Sequence, residues 1–147
     1  MRRKFLTPGN IVGLLVLLAI PGFFLMRARE QANRESMDRA AIRPGMDLVE
    51  VFSAARNWTW AWAYTEQGET APFTMTASEG TRVSFGEEFY TDWDSFIAAV
   101  VERKEELRPY SRWLFTYAGG PGPVKRSFSI ALEDGKVTRV GDGRVWD

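Results

Sequence analysis

The chain has 147 residues, balances 19 Lys and Arg against 19 Asp and Glu, and contains neither histidine nor cysteine. That composition removes the usual zinc ligands, the common general base near neutral pH, the thiol nucleophile and any lipidated cysteine. Charge is unevenly spread: residues 44–147 carry eleven basic and sixteen acidic side chains, so this part has no broad electrostatic reason to bind nucleic acid.

From Phe5 to Met26, 22 consecutive positions hold no charged residue, behind Arg2-Arg3-Lys4 and ahead of Arg27. About 20 apolar residues cross a hydrocarbon core of roughly 30 Å, so residues 1–26 read as a basic tail and a transmembrane signal anchor. A cleaved signal is the rival, but no small-x-small site precedes Arg27. The arginines beyond the span would favour a cytoplasmic C-terminal part by simple counting, whereas the dense basic start favours export; the expectation is a single-pass cell-membrane protein with its domain on the exported, periplasmic side. Phe5, Phe23 and Phe24 are expected at the interfaces, and Pro21-Gly22 as a kink. Gly9 and Gly13, four apart, are candidate contacts to another membrane helix, against the plain reading that glycine is common in such helices.

Residues 27–43 mix Arg, Glu, Gln and Ala and are expected as a helical juxtamembrane stalk. Pro44-Gly45 breaks that helix, and residues 44–147 should form one extramembrane domain. Asp47 and Glu50 read as a capping box opening a short helix, with Leu48, Val51, Phe52 and Ala55 on one face. Trp58, Trp60, Trp62 and Tyr64 then alternate with small residues, the period of a strand with all four rings on one face. The ladder reads as a core strand beneath a helix, as an exposed face for a partner protein or membrane surface, or as a platform for a glycan or lipid.

Turns at Gln67-Gly68 and Glu79-Gly80 separate strands over 72–77 and 81–85. Thr91 is placed to cap a helix whose stripe is Trp93, Phe96, Ile97, Val100, Val101 and Leu107, closed by Pro109. Strands follow over 112–117, 128–132 and 137–140, with Gly119-Gly120-Pro121-Gly122-Pro123 as a connection and Asp134-Gly135 as a two-residue hairpin turn. Prolines remove the backbone donors a phosphate cradle would need. Lys125 and Arg126 beside that connection read as solvated or as partners for acids. Glu87, Glu88, Asp92 and Asp94 are numerous, but nothing in their spacing places two carboxylates in one cleft.

The fold class is therefore α+β: one N-terminal transmembrane helix followed by a small domain with a meandering antiparallel sheet packed against two helices. No cofactor, metal or small-molecule ligand is expected, and the chain does not read as an enzyme. Its expected partners are the lipid bilayer and other membrane protein subunits, with Gly9, Gly13, Trp58, Trp60, Trp62 and Tyr64 as candidate partner contacts.

Residues 42–52, Ile-Arg-Pro-Gly-Met-Asp-Leu-Val-Glu-Val-Phe, resemble the Pro-Gly-Met helix start of the small BamE/SmpA-type envelope assembly lipoproteins, and Leu132 to Val137 is similar to their final hairpin. The resemblance implies a small helix-plus-sheet accessory domain without catalysis. The chain departs from that pattern in lacking the lipidated cysteine and in carrying a long helix near 92–108.

Overall fold

The structure, a computed structural model, describes residues 8–78, 82–118 and 126–143. The basic tail with Phe5, the Glu79-Gly80 turn, and the Gly119 to Pro123 connection with Lys125 lie outside them.

Pro8 opens a 34-residue helix, α1 (Pro8–Ala41), at the position where a missing amide hydrogen costs nothing. Among the described residues it is the one helix long and apolar enough to cross a membrane, and none of its apolar window is buried. Pro21 and Gly22 lie inside it with the helix continuing on both sides. The segment expected as a stalk is part of this helix but does not stand clear of the domain. Gln31 and Asp38 are buried, and Ile42 just beyond joins the core.

The capping box forms as expected at α2 (Leu48–Ala54): the Glu50 amide donates to Asp47 Oδ1 at 2.9 Å and the Asp47 amide to Glu50 Oε2 at 2.7 Å. Seven antiparallel strands follow: β1 (Trp60–Tyr64), β2 (Met75–Ser78), β3 (Arg82–Phe85), β4 (Glu88–Tyr90), β5 (Arg112–Tyr117), β6 (Arg126–Glu133) and β7 (Lys136–Asp142). They make one sheet in the order β4-β3-β2-β1-β5-β6-β7. Two meanders are thus joined by α3 (Trp93–Glu102) and α4 (Lys104–Leu107), which carry the chain from the β4 edge back to the centre. The three-residue β4 had no alternating run to announce it.

Asp92, not Thr91, caps α3, accepting from the Ser95 amide and hydroxyl at 2.8 Å each. These bonds, the backbone one foremost, hold its carboxyl below the usual carboxylate range. Val101, expected in the buried stripe, is exposed, because Phe96 and Val100 already define the inward side of so short a helix. The hairpin turn is as expected: Asp134 and Gly135 both take positive φ, 50° and 74°, the paired left-handed geometry of a type I′ turn.

Helices cover one face of the sheet. Phe52 of α2 stands at the centre of that core, meeting Trp58, Phe96, Trp113 and Phe115 edge-on at centroid distances of 5.3–5.7 Å. Such aromatic pairs add about 0.5–1.5 kcal/mol each beyond the area they bury.

Candidate functional site

Two features stand out: the joint that binds α1 to the sheet, and the sheet face that no helix covers.

The joint centres on Asp38, 1% exposed. Its Oδ1 accepts from the Arg56 amide at 3.2 Å and Asn57 Nδ2 at 2.8 Å; its Oδ2 accepts from the Asn57 amide at 2.9 Å and the Tyr117 hydroxyl at 2.7 Å. One carboxylate therefore ties α1, the connection after α2 and the end of β5 together. Burial, reinforced by the charge of Asp38 and the hydrogen bond to it, pushes the Tyr117 hydroxyl far above the ordinary tyrosine value. Around this centre Gln31 Nε2 donates to the Tyr117 carbonyl at 3.4 Å, Arg39 meets Asp142 at 3.0 Å and Arg126 meets Glu35 at 3.6 Å. The partner proposed for Arg126 from sequence, an acid on another protein, is thus supplied within this chain.

The open face follows from register. Trp60, Trp62 and Tyr64 of β1 pair with Thr116, Leu114 and Arg112 of β5, and these with Ser127, Ser129 and Ala131 of β6. On the other side Trp60 pairs with Thr76, Thr76 with Ser84 and Ser84 with Phe89. The result is a face of three half-buried aromatic rings, a half-buried leucine, the hydroxyls of Thr76, Ser127 and Ser129, and the arginines Arg112 and Arg139, while Thr116 and Ser84 on the same face are buried. Burial raises the Tyr64 hydroxyl above its ordinary value.

The four-ring ladder is split. Trp58 is 2% exposed and lies in the core, with its indole N–H donating to the Ala55 carbonyl at 2.9 Å, so it is withdrawn as a partner contact. It belongs to the connection after α2, before strand geometry begins, and the period of two does not reach it. The remaining rings point away from the helices, which corrects the reading of a core strand. Ala61 and Ala63 face inward instead, opposite Phe115 and Trp113, because only small residues leave room for that ring cluster. Gly9 and Gly13 lie on exposed surface of α1, with nothing within 4 Å of a side chain added at either. The expected contacts therefore fall in three separate places: membrane-type helix, core and open sheet face.

A groove of about 460 Å³ opens beside α2, α4 and the β6–β7 hairpin. Of its lining groups, Arg108 meets Glu105 at 3.4 Å, and Asp47 meets Lys136 at 3.9 Å. Among the described residues no buried side-chain nitrogen or oxygen lacks a partner, and no three acidic, histidine or cysteine side chains cluster as metal ligands would. Glu87, Glu88, Asp92 and Asp94 do not form a cleft pair: Glu88 binds Tyr90 and Arg103, and Asp92 caps α3.

No family model matches the chain, and no curated protein or solved structure matches it.

Sequence reasoning missed Asp38, Tyr117 and Phe89. Asp38 sat among other charges in a presumed stalk, and its four donors come from positions 18 to 79 residues away, which no local pattern displays.

Proposed function

We propose that this chain is a non-catalytic, single-pass membrane protein whose helix and small exported domain act together as an accessory or scaffold subunit of a larger membrane complex. The observation that carries the reading is the pairing of an uncovered apolar helix with a joint that fixes it to a folded domain. A flexible tether would need no buried carboxylate with four donors. With α1 held in this way, a neighbour that binds its apolar surface also fixes the position of the domain, which is what a scaffold subunit does. Gly9 and Gly13 offer such a neighbour close backbone approach.

Extraction in mild detergent tests this reading directly. The protein should migrate with other membrane proteins in a particle larger than its own detergent-bound monomer; recovery as a lone monomer at every step overturns the proposal. A second reading, binding of a glycan or lipid, draws on the half-buried rings of Trp60, Trp62 and Tyr64 on the open face. Titration of tryptophan fluorescence with candidate sugars and lipids separates it from the first.

A further inference from the structure

The end of β7 bends toward the open face of the sheet. Ser127 and Ser129 of β6 belong to that face, opposite Thr116 and Leu114 of β5. The Ser129 hydroxyl donates to the Asp142 carbonyl at 2.8 Å, which draws the last peptide group of β7 to that side. At Gly143 the backbone presses onto Ser127: a Cβ there would overlap the serine Oγ and lie 2.8 Å from its Cβ and its carbonyl oxygen. Only glycine lets the chain pass so close.

The surface ahead of this bend is short of one kind of group. Its register rows run from Trp60 through Thr116 to Ser127, from Trp62 through Leu114 and Ser129 to Gly141, and from Tyr64 through Arg112 and Ala131 to Arg139. These rows hold three rings and two arginines but no carboxylate. Trp60, Tyr64, Arg112, Ser129 and Arg139 each engage a further group of the chain beyond the bonds given above. Rings pair with rings or apolar groups, and guanidinium groups with carboxylates or rings. Of the segments outside the described residues, 119–125 has neither an acid nor a ring, and 1–7 precede α1, about 35 Å along that helix from Gln31. Residues 79–81 join β2 to β3, about 19 Å from Arg139 on β7. Arg144-Val145-Trp146-Asp147 follow Gly143 directly and supply both groups.

Their reach fits the same face. Four residues span at most about 14 Å. At about 4.8 Å between strands, β5 lies about 10 Å from β7 and β1 about 14 Å, whereas β4 is about 29 Å away.

We propose that Arg144-Val145-Trp146-Asp147 turn back as a strap over the open face, with the Trp146 ring against the β1 rings and the Asp147 carboxylate toward Arg112 and Arg139. The occupant of this face is then a segment of the chain itself. A partner protein, glycan or lipid that reaches Trp62 must displace the strap first, so the strap sets when the face is available. The proposal does not depend on α1 spanning a membrane.

Because the chain has no cysteine, single cysteines can be introduced and their rates of alkylation by a maleimide compared between the full chain and a chain stopped after Gly143. Leu114→Cys and Ala131→Cys lie under the strap; Phe89→Cys lies on the same face beyond its reach, at a position 72% exposed. Removing residues 144–147 should speed labelling at Leu114→Cys and Ala131→Cys by about tenfold, as for a strap open about one-tenth of the time, and leave Phe89→Cys unchanged. Trp146→Ala in the full chain removes one ring and no backbone, and should give most of the same rise. Equal rates with and without residues 144–147, or no change on Trp146→Ala, overturn the strap. Slow labelling at Leu114→Cys that survives the truncation and quickens on dilution overturns it in favour of a second copy of the chain on this face.

Discussion

Asp38→Asn is a nearly isosteric change that should nevertheless break the joint. The two carboxylate oxygens accept two bonds each, and one of each pair comes from a backbone amide, Arg56 for Oδ1 and Asn57 for Oδ2. An asparagine has one oxygen and one donor group. Whichever way its amide is turned, one backbone N–H faces an N–H. The Tyr117 hydroxyl and the Asn57 side-chain amide can each turn to accept, but the backbone amides cannot. A buried donor left without a partner costs about 1–3 kcal/mol, and the surviving bonds lose the reinforcement of the charge, so the total is about 2–4 kcal/mol. For a domain of this size each kcal/mol is about 4–8 °C in Tm, which predicts a fall of at least about 8 °C.

The assay is thermal melting of the full chain in detergent, followed by tryptophan fluorescence. Tyr117→Phe alone should cost about 1.5–3 kcal/mol, as expected for a hydrogen bond to a charged group. Combined with Asp38→Asn it should add much less than its own cost, because the two residues share one bond. A variant Asp38→Asn melting within about 3 °C of the parent, on the same scale of Tm against stability, refutes the claim that this carboxylate holds α1 to the sheet.

The split of the aromatic ladder predicts unequal substitutions: Trp58→Ala should cost about 3–5 kcal/mol by emptying a packed core site, whereas Trp62→Ala on the open face should cost clearly less, both read by chemical denaturation. Tyr117 predicts a specific alkaline weakness. Its hydroxyl keeps its proton in the folded chain well above the ordinary tyrosine value of about 10, while the unfolded chain releases it there, so stability is full below about pH 10 and falls by about 1.4 kcal/mol per pH unit above it. Tyr117→Phe should flatten that decline in melts between pH 9 and about 11.5, a window set by the ordinary tyrosine pKa. Gly135→Val places a β-branched residue at φ 74° and should cost at least about 1–2 kcal/mol, loosening the β6–β7 hairpin by hydrogen exchange; a valine variant as protected as the parent refutes the turn geometry.

Local patterns revealed most of the elements. The capping box at Asp47 and Glu50, the Asp134-Gly135 turn and strand runs at 58–64, 112–117 and 128–132, which the structure has as 60–64, 112–117 and 126–133, each follow from residues a few positions apart. What failed depended on distant partners. Which side of β1 faces the core was decided by Trp113 and Phe115, some fifty residues later, whose rings take the space that only Ala61 and Ala63 leave. The ladder itself is strictly alternating, and alternation fixes that two faces differ without saying which one the helices cover. Phe89 escaped notice because β4 has three residues, too few for any period.

The joint was hidden for a different reason, and that reason bears on how α1 works. Gln31, Glu35, Asp38 and Ile42 recur at the spacing of a buried helical stripe, and that side of α1 does meet the sheet. Three of these four positions are polar. Had they been leucines, the stripe would have been recognised as a core face, but the apolar stretch would then have run from the span well past Arg27. A membrane boundary is set by where apolar residues give way to charged and polar ones, and a long apolar continuation would let the helix slide or tilt through the bilayer by several residues. On the proposal that α1 spans a membrane, a polar stripe satisfied by hydrogen bonds would attach the domain while keeping that boundary sharp at Arg27, whose guanidinium lies over the Phe23 ring at 5.4 Å. In that proposed arrangement, the same choice of residues that concealed the joint would fix the height at which the domain is carried.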